Sequence, residues 1–414
     1  MESLIFIIIL LLLAYFSYPL YVWCISIVLY AYVSDVSLSL IMVFIFISLF
    51  FIIKDLRLSF ISKNLVALIK RKSLLPKISN TEKAALEAGT NWVESNFFKA
   101  QVDYEAINAE KVTKLSKEEQ DFLDNEVSTL CEMSSDWQIF QDRDLSPEIW
   151  KYIKDKKFFG MIIPKEYGGL GFSATAHSHI IEKLVSRSQV LAITIMVPNS
   201  LGPAELILKH GSKIQKEKYL NKLALGIEVP CFALTEPNAG SDATSITSSG
   251  VIFKDENNKL KIKLNFDKRY ITLANIATLI GLAFVLKDPD HLLGQEENLG
   301  ITFALISSKT KGVDNSKRHD PLNIPFVNSP LLGKDVVIDI KDIIGEENGI
   351  GQGWKMLVES LSIGRGISLP SVSLGGSKLA LSVITYYTSL REQFGLSLSR
   401  FEAVEEKIAK IAAY

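Results

Sequence analysis

The sequence predicts an α+β protein with an apolar leader, a helical domain, a middle β-domain and a second helical region. Residues 3–53 contain no lysine or arginine and carry one charge, at Asp35. Residues 118–229 place apolar side chains at helical spacing, whereas residues 230–345 favour β-branched and aromatic side chains between Gly, Asn and Asp turns. After residue 346 the helical spacing resumes, so a helical C-terminal domain begins there.

Composition separates the leader from the rest of the chain. Hydrophobic residues make up 48% of the 414 residues and the mean hydropathy is +0.21, which is high for a wholly soluble enzyme. The formal net charge of −1 offers no general attraction to nucleic acid. The three cysteines, Cys24, Cys131 and Cys231, are far apart, which argues against a disulfide framework or a zinc site and fits a reducing compartment. Cys231 is predicted to be a core thiol.

Residues 1–53 are predicted to form transmembrane segments. Leu4 to Val33 is too long for one compact span and is interrupted at Tyr18 and Pro19, while Val36 to Ile53 has about the length that a tilted span needs. Two spans are predicted, with three as the alternative. A cleaved signal peptide is the competing interpretation, but its basic start and small-residue cleavage site are missing.

A basic juxtamembrane segment and linker follow at residues 54–117. Between residues 54 and 72 there is one acidic residue, Asp55, and there are six basic residues: Lys54, Arg57, Lys63, Lys70, Arg71 and Lys72. A basic excess beside a span marks the cytoplasmic side, so we expect an inner-membrane protein whose catalytic part faces the cytoplasm. The apolar spacing of Leu56 to Ile69 predicts a helix lying along the lipid surface, with a solvated linker as the alternative. Residues 73–117 predict a linker with short helices, in which Trp92, Phe97 and Phe98 are anchors.

The helical domain carries its own boundary signals. Ser116 and Glu119 are spaced as a capping box at its start, and a helix over Lys213 to Leu225 closes it. His177 and His179 are two residues apart, a separation that predicts a turn or a strand and lacks a third metal ligand nearby.

The second half of the chain predicts a series of strands separated by turn residues, followed by helices. The composition predicts five strands, at Gly250–Phe253, Lys259–Leu264, Ala277–Leu286, Gly300–Ile306 and Asp335–Ile340. Helices are predicted at Gly353–Leu361 and Ser371–Gln393, and a third apolar-periodic stretch begins near Phe401.

Six ordered motifs carry a resemblance to a known family. The most specific is Thr235-Glu-Pro-Asn-Ala-Gly-Ser-Asp242, in which a short apolar strand becomes a polar loop. The others are Pro164 to Gly171, Gly211 to Gly226, Arg269 to Thr272, Gly345 to Trp354, and Arg391 to Gly395. In this order they resemble the acyl-CoA dehydrogenase family over about residues 120 to 414. With its apolar leader, the chain is most similar to the large membrane-anchored bacterial fatty acyl-CoA dehydrogenases.

The resemblance implies a flavin cofactor, FAD. Phe232, Leu234 and Thr235 would contact its ring system, Thr272 would reach flavin N5, and Tyr270 replaces a common tryptophan. Backbone amides and threonine hydroxyls suit this role because reduction places negative charge on one edge of the ring. An ordinary strand threonine is the alternative for each threonine taken alone.

The resemblance also implies sites outside the ring. Gly240 and Ser241 would lie where the flavin and the CoA-side substrate chain approach, with Ser241 and Arg365 as substrate-binding residues. A group at the Arg-x-x-Phe-Gly segment would reach the adenine diphosphate across a subunit interface: Arg391, Gln393 and Phe394. A surface arginine is the alternative for Arg391. The Gly351-x-Gly353 pair lacks the third glycine of a dinucleotide-binding turn, so no Rossmann domain is predicted.

The implied reaction is α,β-dehydrogenation of a fatty acyl-CoA, the first step of fatty-acid β-oxidation, in which a carboxylate takes the α-proton. The family's usual glutamate would lie beyond Tyr414, and its alternative position holds Gly364. Glu359 lies on a different face of that helix. We therefore expect no catalytic base among residues 1–414, a truncated C-terminal domain and no appreciable activity of this chain alone.

The resemblance further implies fatty acyl-CoA, an electron-transfer flavoprotein and membrane lipid as partners, and a homo-oligomer for the complete protein; no nucleic acid and no metal site are predicted. Two alternatives to the dehydrogenase stay open. One is a non-catalytic membrane-bound remnant, and the other is an acyl-CoA oxidase, which shares the fold but passes electrons to oxygen.

Overall fold

The computed structural model describes residues 2–72, 74, 78–79, 82–83, 86–87, 93–98, 102–111, 113–200 and 202–414. The chain divides into two compact units, Met1–Ser79 and Asn80–Tyr414. Of the predicted linker features, Trp92 lies outside the described residues.

The first unit is a set of short helices, of which the first three are apolar. They are α1 (Glu2–Tyr15), α2 (Leu20–Val33), α3 (Leu38–Ile52) and α4 (Lys54–Leu56), continued by a π-helical segment, Arg57–Ser62, and α5 (Lys63–Arg71). The break between α1 and α2 falls at the predicted Tyr18 and Pro19, because Pro19 lacks the amide hydrogen that a continuous helix needs.

These helices are short for a bilayer. At about 1.5 Å per residue, the 14 or 15 residues of α1, α2 and α3 reach about 21 to 23 Å, against roughly 30 Å of hydrocarbon. Leu38–Ile52 and Lys54–Arg71 together are long and apolar enough to cross, but they are bent by 79°. The number of spans therefore stays a prediction.

The second unit begins with helices. The described ones are α6 (Glu94–Phe98), α7 (Tyr104–Ala109), α8 (Lys117–Asp124), α9 (Glu126–Met133), α10 (Asp136–Asp142), α11 (Pro147–Asp155), α12 (Ala174–Val185), α13 (Gln189–Ser200), α14 (Pro203–His210) and α15 (Lys213–Ala224). Gln189–His210 is apolar enough to cross a membrane, but it is 88% buried inside this unit, so its apolar side chains serve the protein core.

The capping-box residues of two helices also form hydrogen bonds to other parts of the unit. Ser116 and Glu119 form the predicted box at the start of α8, and Glu119 also accepts a hydrogen bond from the Ser173 amide at the start of α12. Ser212 and Gln215 form a second box on α15. The Gln215 side chain donates to the Ile343 carbonyl at 2.6 Å, so the helical and β parts of the unit are joined there.

The middle region is a seven-stranded mixed sheet within the described residues. Its strands are β1 (Pro230–Ala233), β2 (Ser249–Lys254), β3 (Leu260–Thr272), β4 (Leu279–Lys287), β5 (Asn298–Ser307), β6 (Val313–Asp314) and β7 (Asn328–Asp339). β1 and β2 pair in parallel with β4, and β3 pairs antiparallel with β7, where Thr272 lies opposite Asn328. All five predicted strands are present, and β3 and β7 are longer than predicted. As predicted, Cys231 is fully buried.

Helices return after the sheet: α16 (Gly353–Met356), a π-helical turn over Leu357–Leu361, α17 (Ser362–Leu390) and α18 (Glu402–Ala413), with a small hairpin of β8 (Glu392–Gln393) and β9 (Leu396–Ser397) between the last two. The helix predicted at Ser371–Gln393 was wrong at both ends. It begins nine residues earlier, despite Pro370 in its interior, and stops at Leu390, where Arg391 adopts an extended backbone.

The two histidines also correct the sequence analysis. His177 and His179 lie on the helix α12 and not on a turn or strand. Their separation of two places them on different faces, since a helix turns about 100° per residue. His177 is buried and bonds to Ser368, whereas His179 is exposed near Glu182.

Candidate functional site

The loop after β1 is held by the neighbouring strand β3. The Lys268 ammonium donates a hydrogen bond to the Leu234 carbonyl at 3.1 Å, and the Arg269 amide donates to the Thr235 carbonyl at 2.9 Å. Both carbonyls belong to residues predicted to contact a flavin. The backbone of this loop is therefore fixed before any ligand arrives.

A buried ion pair secures the same loop. Lys268 lies 2.8 Å from Glu236, and their side chains are 0% and 2% exposed. The Glu236 carboxylate also accepts hydrogen bonds from the amides of Thr247 and Ser248 and from the Thr247 hydroxyl. Its oxygens are thus satisfied without water.

Charge is retained on both partners. Burial opposes ionisation of Glu236, but the hydrogen bonds from Lys268, Ser248 and Thr247 outweigh it and lower the pKa of Glu236 to about 2. Burial lowers the pKa of Lys268 to about 8, with Glu236 acting in the opposite direction. The pair is therefore ionic at neutral pH.

The end of β3 leaves the regular strand path. A bulge lies between Lys268 and Ile271, and Tyr270 has a positive φ of 58°. The Tyr270 side chain is 52% exposed, with the Arg269 guanidinium 4.9 Å and the His319 ring 4.8 Å from its ring centre. The bulge turns this aromatic ring out of the sheet and towards the predicted site.

A cavity of about 140 Å³ joins residues that are far apart in the sequence. It is lined by Val197, Phe232, Leu234, Thr235, Tyr270, Ile271, Thr272, Leu361 and Arg365. Five predicted flavin contacts and one predicted substrate contact therefore meet in one place, which we call the flavin cavity. Among these lining residues there is no aspartate or glutamate, and the one charged side chain is Arg365.

The donor set fits a flavin ring. Hydroxyls of Thr235 and Thr272 lie beside the aromatic rings of Phe232 and Tyr270, and Arg365 brings a positive charge. Donors and a positive charge favour the negative charge that a flavin ring acquires on reduction, and no lining carboxylate opposes it.

Other predicted contacts lie outside this cavity. Gly240 and Ser241 are in the loop beyond Glu236, and neither lines it. Arg391, Gln393 and Phe394 are exposed around the β8–β9 hairpin, with Phe394 94% exposed. Their roles towards FAD and substrate stay predictions.

A second cavity, of about 220 Å³, is lined by neighbouring residues at the start of α17. Leu361 and Arg365 line the flavin cavity, whereas Gly364 and Ser368 line the second one. A Cβ atom at Gly364 would lie 2.4 Å from the Ser200 carbonyl oxygen, so only glycine permits this close approach of α17 to α13. Any side chain at position 364 would force the two helices apart.

The second cavity contains a carboxylate that the sequence analysis missed. Glu205 lines it, and in the described part of the chain its carboxylate makes no hydrogen bond or ion pair. Burial raises the pKa of Glu205 to about 7, with Lys209 acting in the opposite direction. A sequence signal existed, because Glu205 is the one charged residue between Arg187 and Lys209. In contrast, Glu359 pairs with Lys209, His210 and Lys355 and lines neither cavity.

His177 is the other polar group of this cavity. Its Nε2 atom bonds to the Ser368 hydroxyl at 2.8 Å, while its buried Nδ1 atom has no hydrogen-bond partner among the described residues. Burial lowers the pKa of His177 to about 4, so the ring is neutral at physiological pH. The cavity thus combines apolar walls, at Ile162, Leu208 and Ile367, with two weakly satisfied polar groups.

Comparisons with known proteins agree with this architecture. The family model for the acyl-CoA dehydrogenase N-terminal domain matches residues 110–227, and that for the middle domain matches residues 231–335. A 3-(aryl)acrylate reductase of Clostridium sporogenes is 31% identical over 73% of this chain and 74% of that protein. The caffeyl-CoA reductase-Etf complex subunit CarC of Acetobacterium woodii is 30% identical over 73% and 75%. Butyryl-CoA dehydrogenase from Megasphaera elsdenii superposes with a TM-score of 0.63 at 25% identity, covering 73% of this chain and 77% of that one.

The buried ion pair generates the first prediction. Glu236→Gln or Lys268→Met alone should lower the free energy of unfolding by about 3 to 5 kcal/mol, because each leaves a buried group unpaired. The double variant should lose less than the sum. Both singles should release FAD more readily, because Lys268→Met removes the donor to the Leu234 carbonyl and Glu236→Gln leaves that ammonium without its counterion. Urea unfolding and FAD retention on gel filtration measure the two effects.

The control for that experiment is Asp155→Asn, which removes an exposed ion pair with Lys151 and should cost at most about 1 kcal/mol. Additive losses in the Glu236/Lys268 double variant would contradict a mutually dependent pair.

The second prediction concerns Glu205. Its folded-state pKa of about 7 is raised from 4.5, so its contribution to stability is full below 4.5 and is lost as the pH rises through 7. Glu205→Gln should therefore melt at a higher temperature than the parent at about pH 8, with a smaller difference at about pH 5. Glu217→Gln, an exposed change on α15, is the control. An equal difference at both pH values would show that Glu205 is not desolvated.

Proposed function

We propose that this chain, which belongs to the acyl-CoA dehydrogenase family of FAD-dependent oxidoreductases, provides the FAD and acyl-binding surfaces of a membrane-anchored fatty acyl-CoA dehydrogenase. The reaction would convert a fatty acyl-CoA to a trans-2-enoyl-CoA. The observation that carries the proposal is the flavin cavity, where two threonine hydroxyls, two aromatic rings and Arg365 meet without a carboxylate.

Dehydrogenation removes a proton from the α-carbon and a hydride from the β-carbon of the thioester. FAD, when bound, accepts the hydride. In this chain, Phe232, Leu234, Thr235, Tyr270 and Thr272 would hold the ring. The hydroxyls of Thr235 and Thr272 would donate hydrogen bonds to the ring, and the positive charge of Arg365 would favour the reduced form.

The acyl chain would extend into the second cavity. At Gly364 the backbone of α17 packs directly against Ser200 beside this cavity, and its apolar walls include Ile162, Leu208 and Ile367. Burying an apolar tail against these residues is favourable at roughly 25 cal/mol per Å². Glu205 suits an apolar tail when it is protonated, since a neutral carboxyl is cheaper to keep out of water than a charged one.

The role of Glu205 as a possible proton acceptor is open to a direct test. No aspartate or glutamate lines the flavin cavity, and Glu205 is the carboxylate that lines the neighbouring one. If Glu205 accepts the proton, Glu205→Gln abolishes flavin reduction by the substrate. If the acceptor lies outside both cavities, the same substitution leaves the rate of flavin reduction unchanged.

We also propose that the first unit anchors the protein in the inner membrane and that the second faces the cytoplasm. The apolar helices α1 to α3 and the six basic residues that follow them support this arrangement. An electron-transfer flavoprotein would reoxidise the flavin, and the relative named as a subunit of an Etf complex supports that partner.

The two relatives named reductases favour a second candidate, the reverse reaction. The same residues would serve reduction of an enoyl-CoA by reduced FAD, because hydride transfer between substrate and flavin is reversible. Mixing the reduced, FAD-loaded protein with an enoyl-CoA tests this direction.

The third prediction tests the function directly. When FAD-loaded protein is mixed anaerobically with palmitoyl-CoA, the flavin absorption spectrum should change, whereas CoA without an acyl chain should leave it unaltered. Arg365→Met should weaken the effect of palmitoyl-CoA roughly 10- to 100-fold, because a charged hydrogen-bonding group is lost. Arg400→Met, at an exposed position, is the control.

A flavin spectrum that saturating palmitoyl-CoA leaves unaltered would contradict the proposed function. We expect no rapid bleaching of the flavin, since the flavin cavity has no carboxylate among its lining residues. Bleaching at rates of order 1 s⁻¹ that disappears in Glu205→Gln would make Glu205 the proton acceptor.

The fourth prediction concerns the membrane. The protein should remain in the membrane fraction after an alkaline carbonate wash, because apolar helices are held by hydrocarbon and not by charge. A protease added to the cytoplasmic face should digest the chain beyond Lys72. Release by carbonate, as for a peripheral control protein, or protection from the protease would contradict the proposed anchoring.

A further inference from the structure

The Thr272 hydroxyl is held by a second polar residue from the facing strand. Asn328, the first residue of β7, lies opposite Thr272 in the strand register and is 4% exposed. Its Nδ2 atom lies 3.3 Å from Thr272 Oγ1 and 3.1 Å from the Tyr270 carbonyl oxygen. Its Oδ1 atom lies 3.2 Å from Nδ1 of His319.

The Tyr270 carbonyl determines which way the Asn328 amide points. A carbonyl oxygen only accepts hydrogen bonds, so the amide atom beside it must be the NH₂ group. The same NH₂ group then donates its second hydrogen to Thr272 Oγ1. The amide oxygen in turn faces His319, whose Nδ1 must carry a hydrogen in order to donate to it.

This order of donors leaves the Thr272 hydroxyl hydrogen available. The hydroxyl accepts from Asn328, and among the described residues it makes no other hydrogen bond. Thr272 lines the flavin cavity, so the remaining direction for its hydrogen is towards the ligand. A flipped amide would instead accept from the hydroxyl and turn its hydrogen away from the cavity.

We propose that Asn328 and His319 are positioning residues that set the Thr272 hydroxyl as a hydrogen-bond donor to the flavin ring. The inference rests on the proposed function, because it takes the flavin cavity as the site of FAD. Neither residue needs to touch the cofactor, since both act through Thr272.

The positioning residues are themselves fixed. The His319 amide donates to the Asn328 carbonyl at 2.7 Å, so the two residues are bridged through the backbone as well as through their side chains. The His319 ring packs against the Tyr270 ring at 4.8 Å. The neighbouring Arg318 donates to the Pro325 carbonyl at 2.7 Å, which closes the loop that carries His319.

Asn328→Asp is the sharpest test, because it keeps the size of the side chain but replaces the NH₂ donor with an acceptor. The Thr272 hydroxyl would then donate to the new carboxylate and no longer to the flavin. A lost donor should lower the stability of reduced relative to oxidised flavin about tenfold, which makes the two-electron midpoint potential about 30 mV more negative. Thr272→Val should have a similar effect.

Three further measurements separate positioning from general damage. Asn328→Asp should shift the potential less in a Thr272→Val background than in the parent, since the hydrogen bond is already lost there and only the added negative charge acts. His319→Phe, which keeps a ring against Tyr270 but removes the Nδ1 donor, should shift the potential in the same direction by a smaller amount. Asn275→Asp is the control, because Asn275 also donates to backbone carbonyls, those of Asn315 and Ser316, but does not line the cavity.

The outcomes distinguish this inference from the proposed function. If the parent protein binds no FAD, the proposed function fails. If it binds FAD and Asn328→Asp leaves the potential unchanged, or shifts it equally with and without Thr272, the positioning roles are wrong and the FAD site stands. Should Asn328→Asp not fold, an unchanged potential in His319→Phe beside a shifted one in Thr272→Val overturns the inference.

Discussion

The buried ion pair between Glu236 and Lys268 is the constraint on which the candidate site depends. Two opposite charges that are almost fully excluded from water persist only if each is paired and hydrogen-bonded, and here both conditions hold. Because the Lys268 ammonium is shared between Glu236 and the Leu234 carbonyl, the loop after β1 and the strand β3 cannot shift independently. Thr235 and Thr272, which both line the flavin cavity, are thereby kept in one geometry.

The helix α17 connects that geometry to the second cavity. Positions 361 and 365 line one cavity and positions 364 and 368 line the other, and the members of each pair are four residues apart, as expected for neighbours on one face of a helix. The approach of Gly364 to the Ser200 carbonyl draws α17 against α13, and the π-helical turn over Leu357–Leu361 precedes this contact. The same absence of a side chain that removes a possible base from position 364 thus permits the close packing of α17 on α13.

Much of the fold was predictable because its signals are local. The capping box at Ser116 and the five strands follow from residue spacing and from turn residues. The sequence motifs identified Thr235 and Thr272 together as flavin contacts. The ends of α17 were wrong because tertiary contacts carry a helix through Pro370, which local rules treat as a breaker. Lys268 had a signal that was not used: it continues the inward alternation of Leu264 and Phe266, which makes a buried lysine predictable. Asn328 and His319 had none, since their role exists only where two distant segments meet.

The flavin cavity has no acidic side chain among its lining residues, and the charges around it share one electrostatic effect, which is to favour the reduced flavin. A reduced flavin carries negative charge, and a nearby carboxylate would oppose reduction. The chain instead uses Glu236 outside the cavity, where Lys268 neutralises it, and an uncharged amide at Asn328, where an aspartate of the same size would fit. Burial raises the pKa of Glu205, which lines the neighbouring cavity, to about 7 and so reduces its charge at neutral pH. Of these two glutamates, Glu236 is thus paired and Glu205 is partly protonated, while the charge that lines the flavin cavity directly, on Arg365, is positive.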